Sequence, residues 1–252
     1  MNIAALIKTA TGGAFDAQDA FNRSGRIGPG VLGPLDARAV EAALALRQRV
    51  GGEVTVVAIA GADTLGALRE ALALGADRAV VLNDPQLEAA DLMSRARTAA
   101  ALFRQLKIDV GLYCPWSGDV DGTVFWSATA HRLHMPLLAQ ARALAGIEGG
   151  LEISRQVEGA DLRIAARFPC LVELTDALPP ARRASIKARQ AARAKPFAML
   201  ALGDLAEPPS LHPKRSDCSQ RTARARPPPV IIDDAEAAVA AFVTFLSQRG
   251  MT

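Results

Sequence analysis

Short apolar runs alternate with amphipathic stretches over the first half of the chain. Four runs have the pattern of buried strands: residues 3–7, 53–59, 79–82 and 109–113. Helical periodicity occupies the stretches between them, at residues 37–49, 63–74 and 87–106. Because parallel neighbouring strands need a crossover helix between them, the pattern predicts an α/β fold with a doubly wound, mostly parallel sheet.

The second half of the chain has a different pattern. Residues 135–141 predict a further strand, and three short alternating segments predict antiparallel hairpins added to the sheet: residues 151–157, 162–167 and 170–174. Prolines and few apolar residues at 205–229 predict an extended linker, followed by an amphipathic helix at 235–248. We therefore expect an α/β domain over residues 1–200 and a C-terminal arm over residues 201–252, which either wraps a partner subunit or docks back on its own domain.

Composition and charge place the chain among globular proteins. Half of its 252 residues are apolar and 22% are charged, which is enough apolar material for a large core. The three cysteines are far apart, which favours neither a disulfide framework nor a zinc site and fits a reducing cytoplasm. The apolar run at the N-terminus is too short for a signal peptide, and no run reaches the roughly 20 apolar residues of a membrane span. We expect a cytoplasmic protein that does not insert into a membrane.

The turn after the fourth predicted strand is the strongest candidate for a binding site. Here an apolar strand leads into a polar segment that opens a helix: Ser117, Gly118, Asp119, Val120, Asp121, Gly122 and Thr123. Free amides at a helix start bind anions, and glycine lets a ligand approach the backbone closely. Tyr113, Trp116 and Trp126 flank the turn in the sequence. They either offer a flat surface to an adenine ring or form the core beneath a capped helix.

Parallel topology should bring other loops to the same edge of the sheet. Ligands of doubly wound sheets bind beyond the carboxyl ends of the strands. The loops after the first, second and fourth strands therefore share one rim: residues 9–35, 58–63 and 116–123. We expect residues 33–36 and Gly61 to lie near Gly122.

Other polar residues favour binding over catalysis. The three histidines have no nucleophile or base at a recognisable spacing, and His131 and His134 lack a third ligand for a metal. Asp119 and Asp121 could be general bases, but acidic residues at a helix start more often cap it. Six basic side chains and no acidic one occupy residues 179–195. Without interleaved aromatic residues, they favour a protein-docking surface over nucleic acid.

Several stretches match one protein family in the same order along nearly the whole chain. Residues 33–41, Gly-Pro-Leu-Asp-Ala-Arg-Ala-Val-Glu, are similar to an Asn-Pro-x-Asp/Cys-x-x-Ala-Val-Glu segment. Residues 71–78 resemble a helix end and third-strand entry, and residues 117–123 occupy the place of a nucleotide loop. The series is completed by Phe168-Pro169, Lys195-Pro196 and residues 220–223. Together these stretches resemble the beta subunit of electron transfer flavoprotein.

The resemblance implies an adenine nucleotide alpha hydrolase-like domain that binds AMP structurally and catalyses nothing alone. It assigns the AMP contacts to Leu6, Gly33, Pro34, Leu35, Asp36, Ile59, Cys114, Ser117, Gly118, Asp119, Val120, Asp121, Gly122 and Thr123. It implies no metal. The chain departs from the family's usual residues at Gly33, Gly122 and Val124, which bear on the nucleotide.

The resemblance also implies partners. An alpha subunit carries the redox-active FAD, a flavin-dependent dehydrogenase supplies electrons, and a membrane quinone oxidoreductase receives them; no nucleic acid is involved. The family's dehydrogenase-docking loop corresponds to residues 180–195, with Ile186 as the apolar anchor. Its docking positions are Arg182, Arg183, Ile186, Lys187, Arg189 and Arg193.

Two alternative functions share the predicted nucleotide-binding domain. One is a bifurcating-type beta subunit of the same family, which has its own FAD and NADH site. The other is a stand-alone adenine-nucleotide-binding regulator of the universal-stress type, which needs neither a docking loop nor a wrapped arm. Counting flavins per heterodimer separates the first alternative, and a monomeric, FAD-free protein would indicate the second. We expect one flavin per heterodimer.

Overall fold

A computed structural model of the protein describes residues 1–7, 10–11, 30–59, 64–87, 90–115, 122–212 and 231–251. The chain divides into two compact units, Met1–Arg215 and Ser216–Thr252. The first unit contains the sheets and the candidate site, and the described part of the second contains one helix.

The described strands are, in chain order, β1 (Asn2–Leu6), β2 (Ala10–Thr11), β3 (Gly30–Val31), β4 (Glu53–Ile59), β5 (Arg78–Leu82), β6 (Val110–Tyr113), β7 (Leu137–Ala141), β8 (Ala143–Ile147), β9 (Gly150–Val157), β10 (Ala160–Arg167), β11 (Cys170–Leu174) and β12 (Phe197–Leu200). The described α-helices are α1 (Pro34–Val50), α2 (Leu65–Leu74), α3 (Leu92–Leu106), α4 (Gly122–Leu133), α5 (Ile186–Ala191) and α6 (Ala235–Ser247).

Seven strands form a parallel sheet in the order β12-β5-β4-β1-β6-β11-β7. β1 is central, with Leu6 opposite Val57 of β4 and Ala5 opposite Leu112 of β6. The chain thus builds the sheet outward from β1 in both directions. The predicted doubly wound, mostly parallel α/β fold is confirmed.

The sheet is covered on both faces, as its apolar strands require. Alternate residues of β1 point to opposite faces. Ile3 belongs to the core beneath α1 and α2, whereas Ala4 and Leu6 belong to the core beneath α3 and α4. Because the middle strands are buried on both sides, their sequences are continuous apolar runs and not alternating ones.

The second half of the domain differs from the prediction in several respects. The prediction of an antiparallel hairpin at residues 170–174 is wrong, because β11 lies between β6 and β7 and is parallel to both. All five of its residues are buried, as expected for an inner strand. β12, which the sequence pattern did not predict, adds a parallel edge strand beside β5. The other predicted hairpin segments do form antiparallel strands, in a separate sheet of order β10-β9-β8.

Residues 201–212 pack against the α/β domain. Leu202 and Leu205 are buried in its core, and the Gln105 side chain of α3 bonds the backbone at Asp204 and Ala206. These residues belong to the first compact unit, Met1–Arg215. In the second unit, the Asp234 side chain caps α6 by accepting a hydrogen bond from the Ala237 amide at 2.7 Å.

Candidate functional site

The carboxyl ends of three adjacent strands meet at one edge of the sheet. Leu6 ends β1, Ile59 ends β4, and Cys114 follows β6 directly. Because β4, β1 and β6 are neighbours and parallel, these predicted nucleotide residues lie along the same rim. The strand order reverses direction at β1, which is where doubly wound sheets bind ligands.

The first turn of α1 adjoins this rim. Gly33 caps the helix through its carbonyl, which accepts from the Ala37 amide at 2.8 Å, and Pro34 occupies the first helical position. The Asp36 side chain is only 1% exposed. Burial, and after it the nearby Asp36 carboxylate, raise the pKa of the Cys114 thiol to about 12. The α1 start and the end of β6 are therefore in electrostatic contact.

A cleft of about 620 Å³ opens beside these residues, at the ends of β6, β7 and β11. Leu35 and Cys114, both predicted nucleotide contacts, line it together with Arg142, Gln156 and Glu173. The Tyr113 hydroxyl donates a hydrogen bond to Glu173 at 3.3 Å. Burial raises the pKa of the Glu173 carboxyl. The sequence did not single out Glu173, because it lies within an otherwise apolar strand.

The aromatic residues of the predicted turn belong to the core. Tyr113 and Trp126 are both buried, with ring centroids 5.1 Å apart, and Trp126 also lies 6.2 Å from Phe103 of α3. The sequence left open whether these residues face an adenine ring or form the core beneath a helix. Tyr113 and Trp126 form the core. Trp116 lies outside the described residues.

The structure describes two of the seven residues of the predicted nucleotide turn. Ser117, Gly118, Asp119, Val120 and Asp121 lie outside the described residues, as does Gly61 of the neighbouring loop. Gly122 and Thr123 begin α4, and only their backbone is described. The described members of the predicted set that reach the rim are Leu6, Gly33, Pro34, Leu35, Asp36, Ile59 and Cys114.

The predicted docking loop forms a short helix on the surface of the domain. The Ser185 hydroxyl caps α5 by accepting from the Ala188 amide at 3.1 Å. Ile186 is 80% exposed, and none of the six residues of α5 is buried. Leu178 and Ala192, on either side, are buried in the core beneath α1 and α2. The loop is thus anchored at both ends and exposed in between.

Three basic side chains of the segment at residues 176–195, which we call the basic arm, contact the rest of the domain. The Arg182 guanidinium donates hydrogen bonds to both carboxylate oxygens of Glu41 on α1, at 2.8 and 2.6 Å. Arg189 lies 3.8 Å from Glu70 of α2. The Lys195 ammonium donates to two carbonyls at the end of α2, those of Leu72 and Ala76, at 2.9 and 2.6 Å. Arg182 and Lys195 hold this segment on the domain, whereas the predicted docking residues Arg183, Lys187 and Arg193 are exposed and no described hydrogen bond joins their side chains to the domain.

Glu41, the acidic partner of Arg182, was not among the predicted site residues. Hydrogen bonds from Arg182 hold the pKa of the Glu41 carboxyl below its usual value. Arg38, one turn earlier on α1, donates to the carbonyls of Asp176 and Leu178. Their spacing of three residues, which places both on one helix face, was the available signal.

Two further expectations concern metals and membranes. Within the described part of the chain, no group of three or more His, Cys, Asp or Glu side chains could hold a metal. His131 and His134 are both exposed, with ring centroids 6.5 Å apart. Among the described helices, none is both long enough and apolar enough to cross a membrane.

Comparison with known proteins gives a consistent family. The electron transfer flavoprotein domain model matches residues 26–205. Protein FixA of Bradyrhizobium diazoefficiens is 32% identical over 176 residues, covering 66% of this chain and 61% of that protein. The electron transfer flavoprotein subunit beta of Thermoanaerobacterium thermosaccharolyticum is 31% identical over 160 residues, covering 63% of this chain and 61% of that protein. The caffeyl-CoA reductase-Etf complex subunit CarD of Acetobacterium woodii is 32% identical over 160 residues, covering the same shares. The match thus spans about three fifths of the length of these relatives.

Proposed function

The chain belongs to the electron transfer flavoprotein family, and we propose that it acts as the beta-type subunit of a heterodimeric electron carrier. In this role it binds AMP as a structural ligand and pairs with an alpha subunit that holds the redox-active FAD. Electrons enter from a flavin-dependent dehydrogenase and leave to a membrane quinone oxidoreductase. The names of similar proteins, an electron transfer flavoprotein subunit beta and a subunit of a reductase-Etf complex, support this assignment.

One observation carries the nucleotide part of the proposal. Leu6, Ile59 and Cys114 end three adjacent parallel strands, and the first turn of α1 adjoins the same rim. These are four separate stretches of sequence, all assigned to AMP by the resemblance. Their convergence at the point where the strand order reverses supports a single ligand that touches all of them.

The chemistry of the α1 start fits an adenine nucleotide. Gly33 contributes no side chain, and Pro34 has no amide hydrogen to leave unpaired. The amide of Leu35 is in the first helical turn, where amides have no acceptor within the helix. It can therefore donate to a phosphate or to a ring nitrogen, and the helix dipole favours the negative group. The proposed site extends to the Gly122 and Thr123 amides at the start of α4.

The exposed α5 supports the proposed docking role. Ile186 presents an apolar side chain to solvent, with Arg183 and Lys187 close to it in the sequence. An apolar anchor surrounded by positive charge suits a partner with an apolar pocket and an acidic rim. Because α5 is anchored at both ends, little conformational entropy would be lost when a partner binds.

Nucleotide content tests the proposal. The heterodimer is purified from cells that express both subunits, denatured, and analysed by chromatography for adenine nucleotides and flavins. We expect one AMP and one FAD for each heterodimer. The control is the alpha subunit expressed alone, which should contain FAD but no AMP.

Other outcomes have distinct meanings. Two FAD and no AMP per heterodimer would contradict the structural-AMP proposal and support the bifurcating-type alternative. A monomeric chain that binds adenine nucleotide but never co-purifies with a flavin-bearing subunit would support the universal-stress alternative. One FAD and no AMP would contradict the nucleotide assignment while leaving the carrier role.

A further inference from the structure

Helix α1 contacts both functional regions of the domain. Its first turn, residues 33–36, belongs to the proposed nucleotide site. The residues that follow include Arg38 and Glu41, which contact residues 176–182 at the start of the basic arm. A single rigid element therefore connects two regions that the proposed function treats as separate.

Helix α1 contacts the basic arm at two successive places along the arm. Arg38 donates to the Asp176 and Leu178 carbonyls, which come directly after β11. Glu41 then accepts three hydrogen bonds from Arg182: two from the guanidinium, at 2.8 and 2.6 Å, and one from the backbone amide, at 3.2 Å. A bidentate guanidinium-carboxylate pair fixes orientation as well as distance.

These contacts hold the segment that enters α5. Between Arg182 and Ile186 the chain runs over the surface, and α5 itself contributes no buried side chain. α5 lies beside α2, where Arg189 is 3.8 Å from Glu70. The contacts before α5, together with Ala192 and Lys195 after it, fix both ends of this helix on the domain.

We propose that Arg38 and Glu41 are positioning residues that hold the docking loop on the domain, and that AMP bound at the start of α1 strengthens their contacts. The inference rests on the proposed function for its ligand and its docking partner. A ligand that fixes the first turn of a helix reduces fraying of that turn, and the side chains of the following turns are then better placed. AMP thus orders the surface that receives the dehydrogenase, although it takes no part in electron transfer.

Hydrogen exchange of the α5 amides tests this inference without the dehydrogenase. The Arg189 amide donates to the Ser185 carbonyl at 3.0 Å, and the Ala188 amide donates to the Ser185 hydroxyl, so both report opening of the loop. The heterodimer is refolded with FAD, either with or without added AMP, and exchange is followed by mass spectrometry. We expect omission of AMP to speed exchange in this segment about threefold, as loss of a modest stabilising contact would.

Glu41→Gln removes the carboxylate charge and keeps the side-chain volume. In the AMP-loaded heterodimer, we expect about fivefold faster exchange at residues 188–189, with a melting temperature within about 2 °C of wild type. In this variant, omission of AMP should speed hydrogen exchange little further, because the contact between Glu41 and Arg182 is already lost. The matched control is Glu53→Gln, which removes a comparable ion pair with Arg78, 3.0 Å long, at the start of β4; it should leave exchange in α5 unchanged.

The outcomes separate this inference from the proposed function. Unchanged α5 exchange in Glu41→Gln overturns the positioning role, whether or not AMP binds. Faster exchange in Glu41→Gln together with no response of wild type to AMP overturns the connection to the nucleotide. Failure of the heterodimer to bind AMP at all, seen in the nucleotide assay above, overturns the proposed function instead.

Discussion

At the scale of single residues, Ile186 is the side chain on which the proposed docking most depends. It is a large apolar residue that its own domain leaves 80% exposed. Single exposed apolar residues are common on protein surfaces. Ile186 is distinctive because it lies on an exposed α5 between segments anchored by buried Leu178 and Ala192.

We expect Ile186→Asp to reduce electron transfer from the cognate dehydrogenase. The carboxylate cannot enter an apolar pocket, and loss of a central anchor typically costs about 2 kcal/mol or more, which corresponds to a fall of about 30-fold in kcat/KM. The dehydrogenase is identified by co-purification, and reduction of the heterodimer's flavin is followed by absorbance. Met93→Asp alters another exposed apolar residue, near the start of α3, and should have little effect. Equal rates for wild type and Ile186→Asp would contradict the docking role.

The charged residues of the basic arm show which contacts could be predicted from the sequence and which could not. The run of basic residues predicted a docking surface, but it did not distinguish side chains that face a partner from those that face the domain. The acceptor for Arg182 lies 141 residues earlier, in Glu41, and one acceptor for Lys195 lies 123 residues earlier, in Leu72. Such pairings depend on the packing of α1 and α2 against the arm, which local sequence does not contain.

At the scale of elements, local pattern predicted the first half of the fold correctly and misassigned β11. Residues 170–174 follow directly after a hairpin strand, which suggested a third antiparallel partner. Their continuous burial is instead typical of an inner parallel strand. The apolar run was visible in the sequence, but its position between β6 and β7 depends on long-range pairing. β12, which was not predicted, is a short edge strand of four residues, three of which are exposed.

Gly150 at the start of β9 provides a test of the small antiparallel sheet. A Cβ at this position would lie 2.2 Å from the backbone carbonyl oxygen of Ala166 in β10, and backbone cannot move away as a flexible side chain can. We therefore expect Gly150→Ala to lower the free energy of unfolding by about 1–3 kcal/mol, as overpacking does. Thermal melting followed by circular dichroism measures the change.

The control for this prediction is Gly203→Ala. A Cβ at Gly203 would have no neighbouring atom within 4 Å, so the substitution should change the melting temperature little. If both variants melted at the temperature of the wild type, the close packing of β9 against β10 would be contradicted.

At the scale of the whole molecule, the sequence predicted two regions but left open where the C-terminal region docks. The predicted helix at residues 235–248 matches α6 closely. Its boundary with the first domain was harder to predict, because residues 201–212 are poor in strong strand or helix signals. Buried Leu202 and Leu205 nevertheless pack them onto the α/β domain. The shared rim of Leu6, Ile59 and Cys114 was predictable because parallel strand order alone brings these strand ends together.

Helix α6 carries several exposed apolar side chains. None of its residues is buried, and its apolar side chains include Val239, Phe242 and Val243, which are 64%, 60% and 50% exposed. Residues three and four apart lie on one face of a helix, so these three form a continuous apolar stripe. A helix of 13 residues is marginal in water without tertiary packing. We therefore propose that α6 packs against the alpha subunit.

Phe242→Asp should weaken the heterodimer. A carboxylate in the middle of the apolar stripe would have to be desolvated on binding, and loss of an aromatic anchor raises the Kd about 30-fold or more. Sedimentation velocity of the co-expressed subunits over a dilution series measures this change, and Glu236→Gln at the polar start of α6 is the control. An unchanged Kd would contradict the proposed packing. If Phe242→Asp instead lowered the melting temperature of the isolated chain while the heterodimer Kd stayed the same, α6 would dock on its own domain.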